Sequence, residues 1–259
     1  MSNYLNNLFN LNGKVVLLTG SGGHLVSEMA RSCGMAGMKV VCTDFKLETA
    51  QKTVNEIIDN GGDAIAIEVD VTKKVDHENA LSITIDSYGK LDYLLNGAGS
   101  NAPTPFFDIS VDEWNNILAV QLTGTMLSCQ VFGKYMIEQK YGSIINISSS
   151  SSGPPLSKAF TYSVAKAGIK NLTQNLGREW GTKGVRVNAI RPGFLPTEWN
   201  RKNFITPERE AAILGHTPMA RFGDPVELVG AILWLASDAA SFVTGAEIEV
   251  DGGYSCMTI

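Results

Sequence analysis

The sequence predicts an α/β fold, a single doubly wound domain over residues 1–259 with about seven parallel strands and helices on both faces of the sheet. Three observations lead there. Short β-branched runs alternate along the chain with helix-length amphipathic segments. Those segments are too long for hairpin turns and long enough to cross between parallel strands. The runs themselves read as apolar on both faces, the pattern of strands covered from both sides.

The strand-like runs are 15–19, 39–43, 64–69, 91–95, 143–148, 185–190 and 247–250. No linker divides them. The rhythm breaks only at 192–217, which reads as loop because of Pro196 and Pro207 and carries the bulky Phe194, Trp199 and Phe204. An irregular segment after the sixth strand is where a substrate-side lid over the carboxyl edge of the sheet belongs.

Composition narrows the function. Hydrophobic residues make up 44% of the chain, ample for a core, and the formal charge of −5 argues against a nucleic-acid partner, which would want a basic stripe. No apolar stretch approaches the ~20 residues of a membrane span. The Asn-rich start lacks the charged and apolar regions of a signal peptide. Cys33, Cys42, Cys129 and Cys256 lie far apart, which predicts buried free thiols in a reducing compartment rather than disulfides or zinc. His77 and His216 lack partners at ligand spacing, so no metal is expected. These readings predict a soluble cytoplasmic protein acting on a small molecule.

The first strand runs into Thr19-Gly20-Ser21-Gly22-Gly23, and the next helix begins near Leu25. Glycines at such a turn let the backbone approach a pyrophosphate, and a helix N-terminus offers free N–H groups and a positive dipole end. Asp44 closes the second strand. An acidic side chain there can accept from both adenosine ribose hydroxyls and repel a 2′-phosphate, so NAD(H) is expected over NADP(H). Tyr162 and Lys166 are one turn apart on a predicted helix and face the same way. A neighbouring ammonium, with the positive nicotinamide, would favour the phenolate and draw the tyrosine below its usual pKa of about 10.

On these residues the chain resembles the short-chain dehydrogenase/reductase family, a Rossmann-type fold, along almost its whole length. Asn96-Gly97-Ala98-Gly99 is similar to the family's NNAG element, Asp70-Val71 to its adenine-contacting pair, and Pro192-Gly193 with Thr197 to the segment that holds the carboxamide. The resemblance implies cofactor contacts from Gly20, Ser21, Gly23, His24, Leu25, Asp44, Asp70, Val71, Asn96, Ala98, Gly99, Tyr162, Lys166, Pro192, Gly193 and Thr197. It implies Tyr162 as general acid/base for the substrate oxygen, Ser149 orienting that oxygen, and Lys166 holding the nicotinamide ribose. Hydride would pass between the nicotinamide and the substrate carbon. Spacing alone selects Ser149 from the run of five serines. Assembly as a homotetramer is the family's habit.

Two positions depart from the pattern. The second and third glycines of the usual TGxxxGxG turn are His24 and Val26, which predicts looser packing of the first helix on its strand. His24 could instead donate to a phosphate oxygen. Gln121 replaces an asparagine that serves a proton relay, and either keeps that relay on a longer stem or satisfies backbone groups.

Within the family the chain resembles the D-mannonate oxidoreductase (fructuronate reductase) branch, through Gly97-Ala98-Gly99-Ser100-Asn101, Arg191-Pro192-Gly193-Phe194, Trp199-Asn200-Arg201 and residues 216–223. The resemblance implies a sugar-acid or polyol substrate met by Asn101, Lys158, Phe194 and Arg201. Lys158, one helical turn before Tyr162, and Arg201 in the lid are the cations proposed for a carboxylate. An arginine expected between 151 and 155 is missing, with Pro154 in its place. Two other readings stay open at this point: a 3-oxoacyl or other secondary-alcohol reductase, and a dinucleotide-binding sensor or scaffold with impaired catalysis.

Overall fold

Among the described residues seven parallel strands form one sheet, in which the third strand of the chain lies at one edge, followed by the second, first, fourth, fifth, sixth and seventh. The computed structural model describes residues 3–153, 156–203 and 205–257; Pro154 and Phe204 lie outside them. In chain order the elements are α1 (Asn3–Leu8), β1 (Val15–Thr19), α2 (His24–Met35), β2 (Lys39–Asp44), α3 (Leu47–Asp59), β3 (Asp63–Glu68), α4 (Lys74–Tyr88) and β4 (Tyr93–Asn96). Then come α5 (Val111–Leu118), α6 (Gly124–Glu138), β5 (Gly142–Ile147), α7 (Phe160–Trp180), β6 (Val185–Pro192), α8 (Glu198–Asn203), α9 (Pro207–Gly215), α10 (Val229–Ala236) and β7 (Glu247–Val250).

Every predicted strand is present, displaced by two residues or fewer at either end. The two-sided apolar reading holds for the central strands: β1, β4 and β5 are buried at every position. It fails at the edges. β3 and β7, which have one neighbour each, keep exposed or half-buried side chains such as Asp63, Glu68 and Glu249. One apolar cluster gathers Leu18, Met29, Cys33, Tyr93 and Leu235 beneath α2 and α10. The other gathers Leu17, Leu94, Phe132, Met136 and Ile144 beneath α4 and α6.

The segment 192–217 is not the loop the sequence suggested, since α8 and α9 occupy most of it. Pro207 starts α9 rather than breaking the chain. It stands at the first helical position behind Thr206, whose side chain accepts a hydrogen bond from Arg209 N–H at 3.3 Å. The cysteine expectation also needs one correction. Cys33, Cys42 and Cys129 are buried, and burial pushes each thiol up to about 12, but Cys256 is exposed on the last turn.

The strand order reverses between β1 and β4, the place where doubly wound sheets open a crevice at their carboxyl ends. Both cavities described below lie along that edge.

Candidate active site

The longer cavity, about 800 Å³, follows the ends of β1, β2 and β4. Gly20, Gly23, His24, Leu25, Asp44, Asp70, Val71, Ala98, Gly99 and Thr197 line it, all predicted from the sequence. Gly20 has φ +76, and a Cβ there would fall 2.7 Å from Ala98 Cα, so only glycine lets the first turn close against the loop after β4. Thr19 Oγ1 draws that loop in from the other side, accepting from Gly97 N–H at 3.1 Å and Ala98 N–H at 3.3 Å.

No side chain caps α2, whose first residues His24, Leu25 and Val26 line the cavity. Its first backbone N–H groups therefore lack intrahelical partners and stand ready for an anion. Asp44 is fixed at the wall, its Oδ2 accepting from Gly22 N–H at 3.0 Å. Among the described residues the wall contains Asp44 and Asp70 and no lysine or arginine. Glycine turn, open helix end and a carboxylate at the wall together fit a dinucleotide.

At Val26 the helix leaves no open gap toward the loop after β4. Val26 is buried, and a Cβ on Gly97 would lie 2.5 Å from its Cγ2. The glycine missing from the helix has a counterpart across the gap, and the valine fills the space that Gly97 leaves open.

A second cavity of about 250 Å³ adjoins the first, with Leu25 in both walls. Asn101, Ser149, Lys158, Tyr162, Pro192, Gly193 and Phe194 line it. The Oδ1 of Asn101 is buried without a hydrogen-bond partner among the described residues. Phe194 is braced by Tyr254, ring to ring at 5.2 Å.

Hydrogen bonds distinguish the five serines. Ser148 Oγ donates to Glu247 Oε1, Ser150 Oγ to the Pro192 carbonyl at 3.0 Å, and Ser152 Oγ to Glu247 Oε1 at 2.9 Å. Ser151 donates twice to Ser149 Oγ, from N–H at 3.2 Å and from its hydroxyl at 3.1 Å. A hydroxyl has two acceptor sites and one proton. With both acceptor sites of Ser149 taken, its proton is left for Tyr162 or for a substrate oxygen.

Tyr162 and Lys166 share a face of α7 as the spacing predicted. Burial pushes the Tyr162 phenol above its usual 10, and the hydrogen bond with Ser149 offsets only part of that. Lys166 does not supply the predicted depression in the chain by itself. Burial takes its own pKa down to about 7, its Nζ donates to the Ile147 carbonyl at 2.6 Å, and it lies 5.3 Å from the centre of the Tyr162 ring.

Three predicted contacts stand elsewhere, and a fourth arrives from an unexpected element. Ser21 is fully buried, its Oγ donating to the Thr43 carbonyl at 3.1 Å, so it ties the glycine turn to β2 instead of facing the cavity. Asn96 is likewise buried, donating to Asn146 Oδ1 at 2.9 Å and accepting from Ser128 at 2.6 Å. Arg201 is carried outward by α8 and stacks on Phe222 at 5.0 Å. Lys158 does reach the smaller cavity, but from a turn ahead of α7, at φ +60, rather than from the helix.

Gln121 occupies a π-helical turn, Ala119–Thr123, between α5 and α6. Its Nε2 donates to the Ser100 carbonyl at 2.8 Å, and its buried Oε1 has no partner among the described residues. It serves the loop after β4 rather than its own helix. The residue the sequence reading missed is Arg209, on α9 in the wall of the smaller cavity. The Thr206-Pro207 cap signature would have placed it on a helix.

Comparison with known proteins agrees with this geometry. Residues 25–255 match the family model described as enoyl-(acyl carrier protein) reductase. The chain belongs to the short-chain dehydrogenase/reductase family and is an oxidoreductase acting on CH–OH groups. It is 38% identical to the uncharacterized oxidoreductase UxuB of Bacillus subtilis, over 95% of this chain and 96% of that one. It is also 38% identical to 3β-hydroxysteroid dehydrogenase 1 of Eggerthella lenta, over 94% of each. A solved structure from Haemophilus influenza, assigned as a D-mannonate oxidoreductase and holding NAD, superposes with a TM-score of 0.90. Its identity is 34%, covering 96% of this chain and 97% of that one. Solved relatives hold NAD in some cases and NADP in others.

Proposed function

We propose that the protein is an NAD(H)-dependent dehydrogenase that interconverts a secondary alcohol and a ketone on a sugar acid of the D-mannonate/fructuronate kind. The observation that carries this reading is the Ser149–Tyr162 pair facing a small cavity that opens beside a dinucleotide-sized one. Asp44 and the absence of lysine and arginine from the longer wall support NAD(H), because a 2′-phosphate there would meet carboxylate and no counter-charge. Relatives named for gluconate and 5-keto-D-gluconate chemistry, beside the D-mannonate oxidoreductase, support the substrate class.

The chain's own residues divide the work. His24, Leu25 and the open end of α2 would hold the pyrophosphate, Asp44 the adenosine ribose, Asp70 and Val71 the adenine side, and Gly193 and Thr197 the nicotinamide side. When bound, the nicotinamide supplies or accepts a hydride. Ser149 donates its one free proton to the substrate oxygen. Tyr162 Oη takes the hydroxyl proton during oxidation and returns it during reduction. Lys166 sits below Tyr162 and positions the ribose. Segment 192–217, with α8 and α9, is the substrate-side lid. The exposed Phe106, Phe107, Phe160 and Val164 near α5 and α7 support assembly through those helices, as in a homotetramer. A cytoplasmic site of action suits the free cysteines.

The test is NADH production from a panel of sugar acids, polyols, hydroxysteroids and 3-hydroxyacyl thioesters, with NAD⁺ and NADP⁺ in parallel. The reading predicts the highest kcat/KM for a sugar acid with NAD⁺. A thioester or steroid leading the panel, or equal use of NADP⁺, overturns it.

A further inference from the structure

Among the described residues the smaller cavity has two cations in its wall, Lys158 and Arg209, and no carboxylate. The chain as a whole carries −5, so this wall runs against the average. Neither cation enters an ion pair among the described residues. Other cations near the site are already engaged: Arg221 with Glu227, and Lys170 and Arg191 with Glu247.

The two are held together by one residue. Arg209 Nη1 donates to Ser157 Oγ at 2.6 Å and Nη2 to the Ser157 carbonyl at 2.9 Å. Those bonds leave three of the five guanidinium donors free and tie α9 to the turn that carries Lys158. Lys158 stands at φ +60, a left-handed backbone that a non-glycine residue adopts only where the surroundings impose it. Two like charges in one wall repel each other, and an anion bound by both relieves the repulsion.

We infer that Lys158 and Arg209 form the carboxylate subsite. They take the terminal carboxylate of a sugar acid and leave its secondary hydroxyl to Ser149 and Tyr162. Arg209, from the lid, and Lys158, from the turn before α7, would bind one anion from two segments, so the ligand itself fastens the lid. A guanidinium with free parallel donors suits a carboxylate better than a neutral hydroxyl does. This inference rests on the sugar-acid reading above, and it replaces Arg201 as the lid's cation.

The experiment compares D-mannonate with D-mannitol, its uncharged counterpart, in wild type, Arg209→Gln, Arg209→Lys and Lys158→Gln. Calorimetric binding of D-gluconate to the enzyme–NADH complex is measured in parallel. For Arg209→Gln the ratio of kcat/KM for the acid over the polyol falls about 100-fold, mostly through KM, since a charged hydrogen-bonded pair contributes about 1.5–3 kcal/mol. Arg209→Lys recovers part of it, and D-gluconate binding weakens in step. If the variants keep wild-type ratios and D-gluconate affinity, the subsite is wrong and the sugar-acid reading stands. If wild type turns over neutral alcohols and no sugar acid, both fall. An equal loss toward acid and polyol assigns Arg209 a purely structural part and also overturns the subsite.

Discussion

Around Ser149 the hydrogen bonds separate two neighbouring hydroxyls that spacing alone could barely distinguish. Ser151 spends both its donors on holding Ser149 in place, which leaves the Ser149 proton for Tyr162 or a substrate oxygen. Ser149→Ala is expected to lower kcat by about 10²–10³, the scale of losing a donor to the reacting oxygen. Ser151→Ala is expected to cost about tenfold or less, since the Ser151 N–H still orients Ser149. Steady-state kinetics on both variants checks the order, and the reverse order refutes the assignment. Lys166 gives a pH prediction. Its pKa is about 7 in the fold against 10.5 ordinarily, so the unfolded chain binds more protons between those values. Stability from this group therefore rises with pH from about 7 to 10.5, and its burial penalty is fully felt below pH 7. Lys166→Met should stabilise the cofactor-free protein relative to wild type at neutral pH, with the difference shrinking towards pH 10. Urea denaturation at pH 7 and pH 9.5 measures it; a pH-independent difference contradicts a depressed Lys166.

The scale of elements is where Val26 and Gly97 matter. Val26 on α2 fills space that exists only because the loop after β4 has a glycine. Gly97→Ala should destabilise by about 1–3 kcal/mol through overpacking and weaken NADH binding. Adding Val26→Gly should return much of the binding although it is itself a helix-weakening change. Fluorescence titration with NADH across the cycle checks the coupling, and strictly additive effects refute it. Elements were also where the sequence was most and least legible. The strands could be read because parallel central strands are apolar on both faces and helices must separate them. Tyr162 and Lys166 could be read because one helical turn fixes their relation. The segment 192–217 could not, because a proline reads as a breaker in sequence whereas Pro207 behind Thr206 starts a helix. The choice between Arg201 and Arg209 is illegible for the same reason, since which of the two lines the cavity depends on how α8 and α9 pack. Ser21 and Asn96 were misplaced for a related reason. Motif membership marks residues that build a turn as readily as residues that touch what the turn holds.

For the whole molecule, the sheet's reversal between β1 and β4 sets a dinucleotide-sized crevice beside a small cavity that contains a serine, a tyrosine and two cations. The longer wall carries carboxylates and no cation, while the smaller carries cations and no carboxylate. That separation of charge favours an NAD(H) cofactor at one end and an anionic substrate at the other. It also weighs against a mere dinucleotide sensor, which would need neither a serine with a free proton nor a cationic second cavity. The measurement that bears most directly on this account is NADH formation from NAD⁺ and D-mannonate by wild type and Tyr162→Phe, with NADH affinity determined for both. Turnover by wild type that falls at least about 10³-fold in the variant, with affinity retained, is the result predicted. Turnover that survives the loss of the Tyr162 hydroxyl would contradict it.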